Sequence, residues 1–462
     1  MTPASKRMST DESFPDDDRL SRRDMVRQGV AALAGGALAF GATPALASAE
    51  APSAEPGRPV ATPLPPSPPL SPGQPGRDYT PVITPNGTTL PFRVVSGVKV
   101  FHLTAETFTH DFAPGLRVTC WGYNGRTPGP TIEAVEGDRV RIYLTNRLPE
   151  PTSVHWHGVL LPSGMDGVAG LSQAPIPVDA TFKYEFTLRQ HGTLMYHAHY
   201  DEMVQQGLGL MGMFVIHPRN PVSRPDRDFV LLSSEWKVPI GASRPDPNEM
   251  TEFNILTFNG KVFPATEPLQ MQLGERVRIR LGNLSAMSHH PIHVHGLRWR
   301  MVATDGGDIA VAGQWPETTV LVPVGTTRTV EFLADNPGDW AMHCHMTHHV
   351  MNQMGHSGTS LIGTDPAAID ALATKVLPDY MTMGHAGMGG MAEMGMPVPD
   401  GSISMVGGPG PHGNIDMGGM FTILKIRERL PRGGDPGWYQ NPSGTVAVEA
   451  TADELRRDGI TG

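Results

Sequence analysis

Residues 341–356, AMHCHMTHHVMNQMGH, hold five histidines, one cysteine and four methionines in sixteen positions. A buried strand would use Val, Ile and Leu there, and a solvated loop Ser, Asp and Lys. Imidazole, thiolate and thioether at this density suit a soft or borderline transition metal, copper before most others. H-x-H pairs recur along the chain: His155/His157, His197/His199, His293/His295 and His343/His345. On a strand, residues i and i+2 point to one side, so each pair offers two imidazoles to one site. Eight nitrogens exceed the needs of one ion and suit a cluster.

Cys344 stands inside the last pair, with His290 upstream and His349 and Met354 downstream. A thiolate, two imidazoles and a weak thioether are the donor set of a mononuclear electron-transfer copper. Cys344 would serve that site while His343 and His345 face the cluster. One short covalent path would then join the mononuclear site to the cluster. Cys120, the other cysteine, is expected to be a buried free thiol.

These residues are positioned by a unit used twice. NGRTPGPTIEAVEGDRVRIYLTNRL from Asn124 is echoed by NGKVFPATEPLQMQLGERVRIRLGNLS from Asn259, at an offset of 135. HWHG at His155 returns as HVHG at His293 (offset 138), and GTLMYHAHY at Gly192 as GDWAMHCHM at Gly338 (offset 146). The same offsets put Thr152 opposite His290, Ala198 opposite Cys344, Met203 opposite His349 and Leu208 opposite Met354. The mononuclear set therefore belongs to the second copy only. Period-two alternation, as in Val140, Ile142 and Leu144 against Arg139, Arg141 and Tyr143, predicts strands of an antiparallel β-sandwich in each copy.

Composition agrees. The 462 residues include 53 Gly and 45 Pro with 18% charged residues, a turn-rich all-β profile. A net charge of −10 argues against nucleic acid as a partner. SRRDMV followed by a Gly/Ala-rich run reads over 1–49 as a twin-arginine export signal, which places the protein in the periplasm or outside the cell, with no membrane span in the mature chain. Residues 50–79 are Pro/Ser-rich and read as a disordered arm. The two units follow over 80–218 and 226–430, the second interrupted by a Met-rich excursion at 380–420 and closed by one more strand, Gly418–Leu430. A polar, loose tail occupies 431–462. The excursion's thioethers and His385 and His412 suit gathering of Cu(I), or a plain Met/Gly flap over its own domain.

HWHG, HAH, HPIHVHG and HCHMTHHVMNQM follow, in order, the four copper signatures of the multicopper oxidases. The chain resembles that family over about 80–430, the two-domain laccases most of all. The resemblance implies two cupredoxin-like Greek-key β-sandwich domains and four copper ions per subunit. His290, Cys344, His349 and axial Met354 would hold the type 1 copper, and His155 and His293 the type 2 copper. His157, His197, His199, His295, His343 and His345 would hold the type 3 pair. It implies a homotrimer in which the first domain of one subunit meets the second of the next, and O2 and a small reductant as substrates. Asp166, in SGMDG, matches an acidic residue that delivers protons in relatives. His348 stands where some relatives carry a glutamate and is the second acid/base candidate. Two other readings stay open: a copper nitrite reductase-like enzyme, which would carry its cysteine in the first copy, and a copper-sequestering resistance protein.

Overall fold

The alternating stretch RVRIYLTN forms the strand Arg139–Asn146, with Val140, Ile142 and Leu144 buried. Its repeat RVRIRLGN forms Arg276–Asn283, with Val277, Ile279 and Leu281 buried in the same way. The computed structural model describes residues 70–239, 241–249, 251–352, 371–372, 375, 401–405 and 407–460. These all lie in one compact unit, 67–462. The expected export segment, Met354, His385 and most of the Met-rich excursion fall outside the described residues.

The first copy builds a five-stranded sheet from Arg93–Val95, Val98–Ala113, Leu116–Tyr123, Arg139–Asn146 and Thr181–Thr187. It packs on a three-stranded sheet of Gly129–Val135, Gly192–His197 and Met211–His217 around Phe101, Leu103, Ile142, Trp156, Tyr196 and Phe214. The second copy sets a seven-stranded sheet centred on Arg276–Asn283 against a five-stranded one. That smaller sheet runs in the order Leu269–Gln272, Phe421–Arg427, Gly338–Cys344, His290–Val294 and Thr319–Val322. A third buried cluster, including Val118, Met213, Val215, Val230, Leu232 and Trp236, joins the two sandwiches and encloses the free Cys120.

Three features depart from expectation. The sheets are mixed rather than antiparallel: Val98–Ala113 runs parallel to Arg139–Asn146, and Arg227–Trp236 parallel to Arg276–Asn283. Alternation reports which face is buried, not the direction of the neighbouring strand, and parallel pairing comes from long crossover connections. Residues 70–79, expected to be disordered, pack: Gly73 N donates to Asp138 Oδ1 at 3.0 Å, and Tyr79 stacks on His217 at 4.1 Å. The tail is pinned at its start, where Lys425 Nζ meets Asp435 and Tyr439 N donates to Asp339 Oδ2 at 2.7 Å. In both places the partner is a buried charge or ring elsewhere in the chain, which local composition does not disclose. Among the described residues no helix is long and apolar enough to cross a membrane.

Candidate metal centres

The Gly338–Cys344 strand lies antiparallel to His290–Val294, with Ile292 opposite Cys344 and His293 opposite His343. Alternation divides the residues between two faces. Met342, Cys344 and Ile292 turn into the core, fully buried, while His293, His295, His343 and His345 gather on the other side.

On the core side, Cys344 Sγ lies 3.3 Å from His349 Nδ1 and 3.7 Å from His290 Nδ1. The two imidazole nitrogens are 3.2 Å apart, and all three residues are buried. His349 sits on the 3-10 turn Thr347–Val350 that follows the strand. Burial depresses His290 to about 3, so its ring is neutral and its lone pair available. Burial also pushes the Cys344 thiol up to about 12, so only a bound cation makes it a thiolate near neutral pH. His290 Nε2 is fixed by Ser285 Oγ at 2.6 Å. Asn283 shapes the loop before it: Nδ2 donates to Ser288 O and Val322 O at 2.9 Å, and Oδ1 accepts from Ser285 N. Two imidazole nitrogens and one sulfur, all within 3.7 Å of one another, fit a soft or borderline transition-metal ion.

The eight remaining histidines form two quartets of matching shape. In the first copy the ring of His155 lies 5.7, 5.4 and 5.5 Å from those of His157, His197 and His199. In the second, the ring of His293 lies 4.9, 5.7 and 5.4 Å from those of His295, His343 and His345. His157 Nδ1 meets His197 Nε2 at 3.3 Å, and His295 Nε2 meets His343 Nε2 at 3.2 Å. Four of the eight rings spend Nδ1 on a backbone carbonyl at 2.9 Å: His155 on Asp166, His197 on Ala198, His293 on Thr318 and His343 on Cys344. Each then presents Nε2 as a lone pair, the usual second-shell arrangement of a metal-bound histidine. Among the described residues, no hydrogen bond or ring contact joins one quartet to the other. The second quartet instead opens onto a cavity of about 860 Å³ lined by His293, His295, Leu333 and Trp340.

Asp166 Oδ1 lies 3.3 Å from His155 Nδ1, at the edge of the first quartet. His348 lies elsewhere: its ring packs edge-on against His349 at 4.2 Å, in the wall of the mononuclear site. The first copy has no counterpart of the mononuclear site. Thr152 and Ala198 are fully buried there, and Thr152 Oγ1 donates to Gln205 Oε1 at 2.6 Å. Met203, opposite His349 by repeat offset, points to solvent instead.

Sequence reasoning missed Asn146 and Asn283. Asn146 mirrors Asn283 bond for bond, donating to Glu150 O and Ile176 O and accepting from Leu148 N. The repeated LTNRL and LGNLS carried the signal. It also missed Glu202, whose carboxylate oxygens lie 3.6 and 3.7 Å from His197 and His199. The return from the Met-rich excursion abuts the mononuclear site, since Gly418 N donates to Val350 O and Met420 N to His349 O.

Two family descriptions, both multicopper oxidase, match residues 104–221 and 239–360. This chain belongs to the multicopper oxidase family. Membership brings copper binding with it and agrees with the all-β, cupredoxin-like architecture. The copper resistance protein A of Escherichia coli is 28% identical over 319 residues, 58% of this chain and 51% of that protein. Laccase-15 of Oryza sativa subsp. japonica is 30% identical over 266 residues, 53% of this chain and 41% of its own. Among solved structures, the blue copper oxidase from Nitrosomonas europaea is 25% identical with a TM-score of 0.53, covering 71% of this chain and 85% of that one. The multicopper oxidase mgLAC is 26% identical with a TM-score of 0.54, covering 74% and 89%. The chain spans about half or less of the length of the curated relatives it matches.

Proposed function

We propose that this protein is an exported, laccase-like oxidase of the two-domain type that couples one-electron oxidation of a small reductant to reduction of O2 to water. The observation that carries this reading is the double use of Gly338–Cys344, whose Cys344 enters the mononuclear site while His343 enters the second quartet. Copper bound at the two kinds of site would supply the one-electron transfer and the oxygen chemistry. His290, Cys344 and His349, with Met354, would hold one ion. His155 and His293 would hold the second, and the other six histidines a pair, four per subunit in all.

The chain's own groups divide the remaining work. The buried cysteine side excludes water from the electron-entry site and keeps His290 neutral. Main-chain carbonyls hold four rings of the quartets in one tautomer, which fixes their aim before any ion arrives. Asp166, partly exposed at the edge of the first quartet, would take protons from solvent and deliver them there.

Each quartet offers half of a centre, and among the described residues no hydrogen bond or ring contact joins the two halves of one chain. This separation supports a second copy supplying the missing half, in a closed head-to-tail ring that we take to be the homotrimer. A nitrite reductase-like reading would need a cysteine where Ala198 and Thr152 fill the first copy. The names of the copper-resistance relatives favour a copper store, yet a store has no use for a cysteine wired to a cluster. Oxygen uptake on adding a phenol separates these outcomes. Uptake abolished by Cys344→Ser supports the oxidase, and stoichiometric copper binding without uptake overturns it.

A further inference from the structure

The chain beyond the strand Phe421–Arg427 is first tied down and then released. Trp438 packs with Ala341 and Ile415 against Phe421, and Lys425 Nζ lies 4.8 Å over its ring. Ala341 and His343 alternate onto one face of Gly338–Cys344, and the Phe421 ring stacks on that of His343. The tie therefore sits on the face of the second quartet. Past it, every residue of 440–460 is exposed.

An exposed segment of this kind is ordinarily formless, yet this one holds a helix specified at both ends. At the start of Ala452–Arg457, Thr451 and Glu454 form a reciprocal capping box. At the other end Ile460 N donates to Leu455 O at 2.8 Å and Gly459 N to Arg456 O at 3.2 Å, with Gly459 at a φ of 73°. That closing pattern sets Leu455 and Ile460 on one side of the helix. Ile460 is 58% exposed, and Val448, in the run before the helix, 84%. Isolated helices shorter than about 12–15 residues are marginal in water, so six residues do not hold by their own hydrogen bonds. Among the described residues of the same chain, none buries this pair. Precise caps and an uncovered apolar pair call for cover from another chain.

Two features identify that chain as a second copy. The arm leaves from the face of the second quartet, where the ring assembly above brings the first sandwich of the next subunit. That sandwich carries exposed Leu160 and Leu171 on the segments that follow His157 and Asp166, an apolar rim beside its own quartet. We propose that residues 440–460 cross to a second copy of this chain and clasp its first sandwich through Leu455 and Ile460. The proposal rests on the ring reading above.

The test uses the copper-loaded full chain and two double variants. One is Leu455→Glu with Ile460→Glu, and the other Leu455→Ala with Ile460→Ala, which adds no charge. Assembly is read by analytical ultracentrifugation over a dilution series, and cover of the arm by amide hydrogen exchange of residues 455–460. The unsubstituted arm should be protected in the assembled protein and lose that protection on dilution to the monomer. Both variants should dissociate at a concentration about ten-fold higher or more, with the blue absorption band unchanged because the mononuclear ligands sit elsewhere. Dissociation at the same concentration in both variants, or arm amides that exchange at the free-chain rate in the assembled protein, would overturn the proposal and leave the ring reading standing. Protein that is monomeric at every concentration would overturn the ring reading and the proposal with it.

Discussion

Cys344 is the single residue shared by both kinds of site, through its own sulfur and through its neighbour His343. Replacing it with serine substitutes a hydroxyl that a copper ion does not hold as it holds a thiolate. Cys344→Ser is expected to lose the blue absorption and to slow oxygen uptake by several orders of magnitude, while the thermal midpoint of the metal-free protein shifts little. A variant still blue and active would refute the assignment. Buried imidazoles make a second prediction. His110 is depressed to about 4 and His197 to about 3 by burial, against an ordinary 6.5. Between those values and 6.5 the unfolded chain binds more protons than the folded one, so stability is lost as pH falls. Each such ring contributes a slope of up to about 1.4 kcal/mol per pH unit in that window. His110 Nε2 donates to Gly260 O at 2.6 Å, so His110→Gln keeps a donor. Denaturant melts of the metal-free protein between pH 4 and 6.5 should show a shallower acid limb for that variant, and an unchanged limb would contradict the prediction. The donor types and their spacing were legible at this scale because a metal site is a matter of side-chain chemistry.

The repeated strand and the loop after it are the elements that place His290. Asn146 and Asn283 end equivalent strands and bind equivalent loops, but only the second loop leads to a mononuclear ligand. Asn146→Ala and Asn283→Ala should each cost about 2–3 kcal/mol in denaturant melts, because buried carbonyls and an amide lose their partner. The blue band should weaken in Asn283→Ala and persist in Asn146→Ala. Equal spectra in the two would contradict the role given to Asn283. The repeat itself was plain in the sequence, down to Asn124 and Asn259, both with positive φ at the head of a turn. What alternation left hidden was strand direction, since a buried face looks alike beside a parallel or an antiparallel neighbour.

At the scale of the whole molecule, no hydrogen bond or ring contact among the described residues joins the two half-centres of one chain, and the second opens onto solvent. Leu333 lies beside His293 and His295 and is 55% exposed. If a second copy covers that cavity, Leu333→Glu should lower the assembled mass in light scattering and cut oxygen uptake by about ten-fold or more while the blue band remains, because the mononuclear ligands all sit on one chain. A monodisperse trimer with full activity would count against that interface. Symmetry of this kind was only implied by resemblance, since a single sequence does not say which surfaces meet. The most direct measurement of the central claim is complementation. One chain carries His155→Ala and His197→Ala, the other His293→Ala and His343→Ala, and each alone is inactive. Co-expressed, a head-to-tail ring restores an intact pair of quartets at about one interface in four, so oxygen uptake should return to about a quarter of the unsubstituted level. Mixed oligomers that remain inactive, while the unsubstituted protein is active as a monomer, would show that both quartets serve one centre within a single chain.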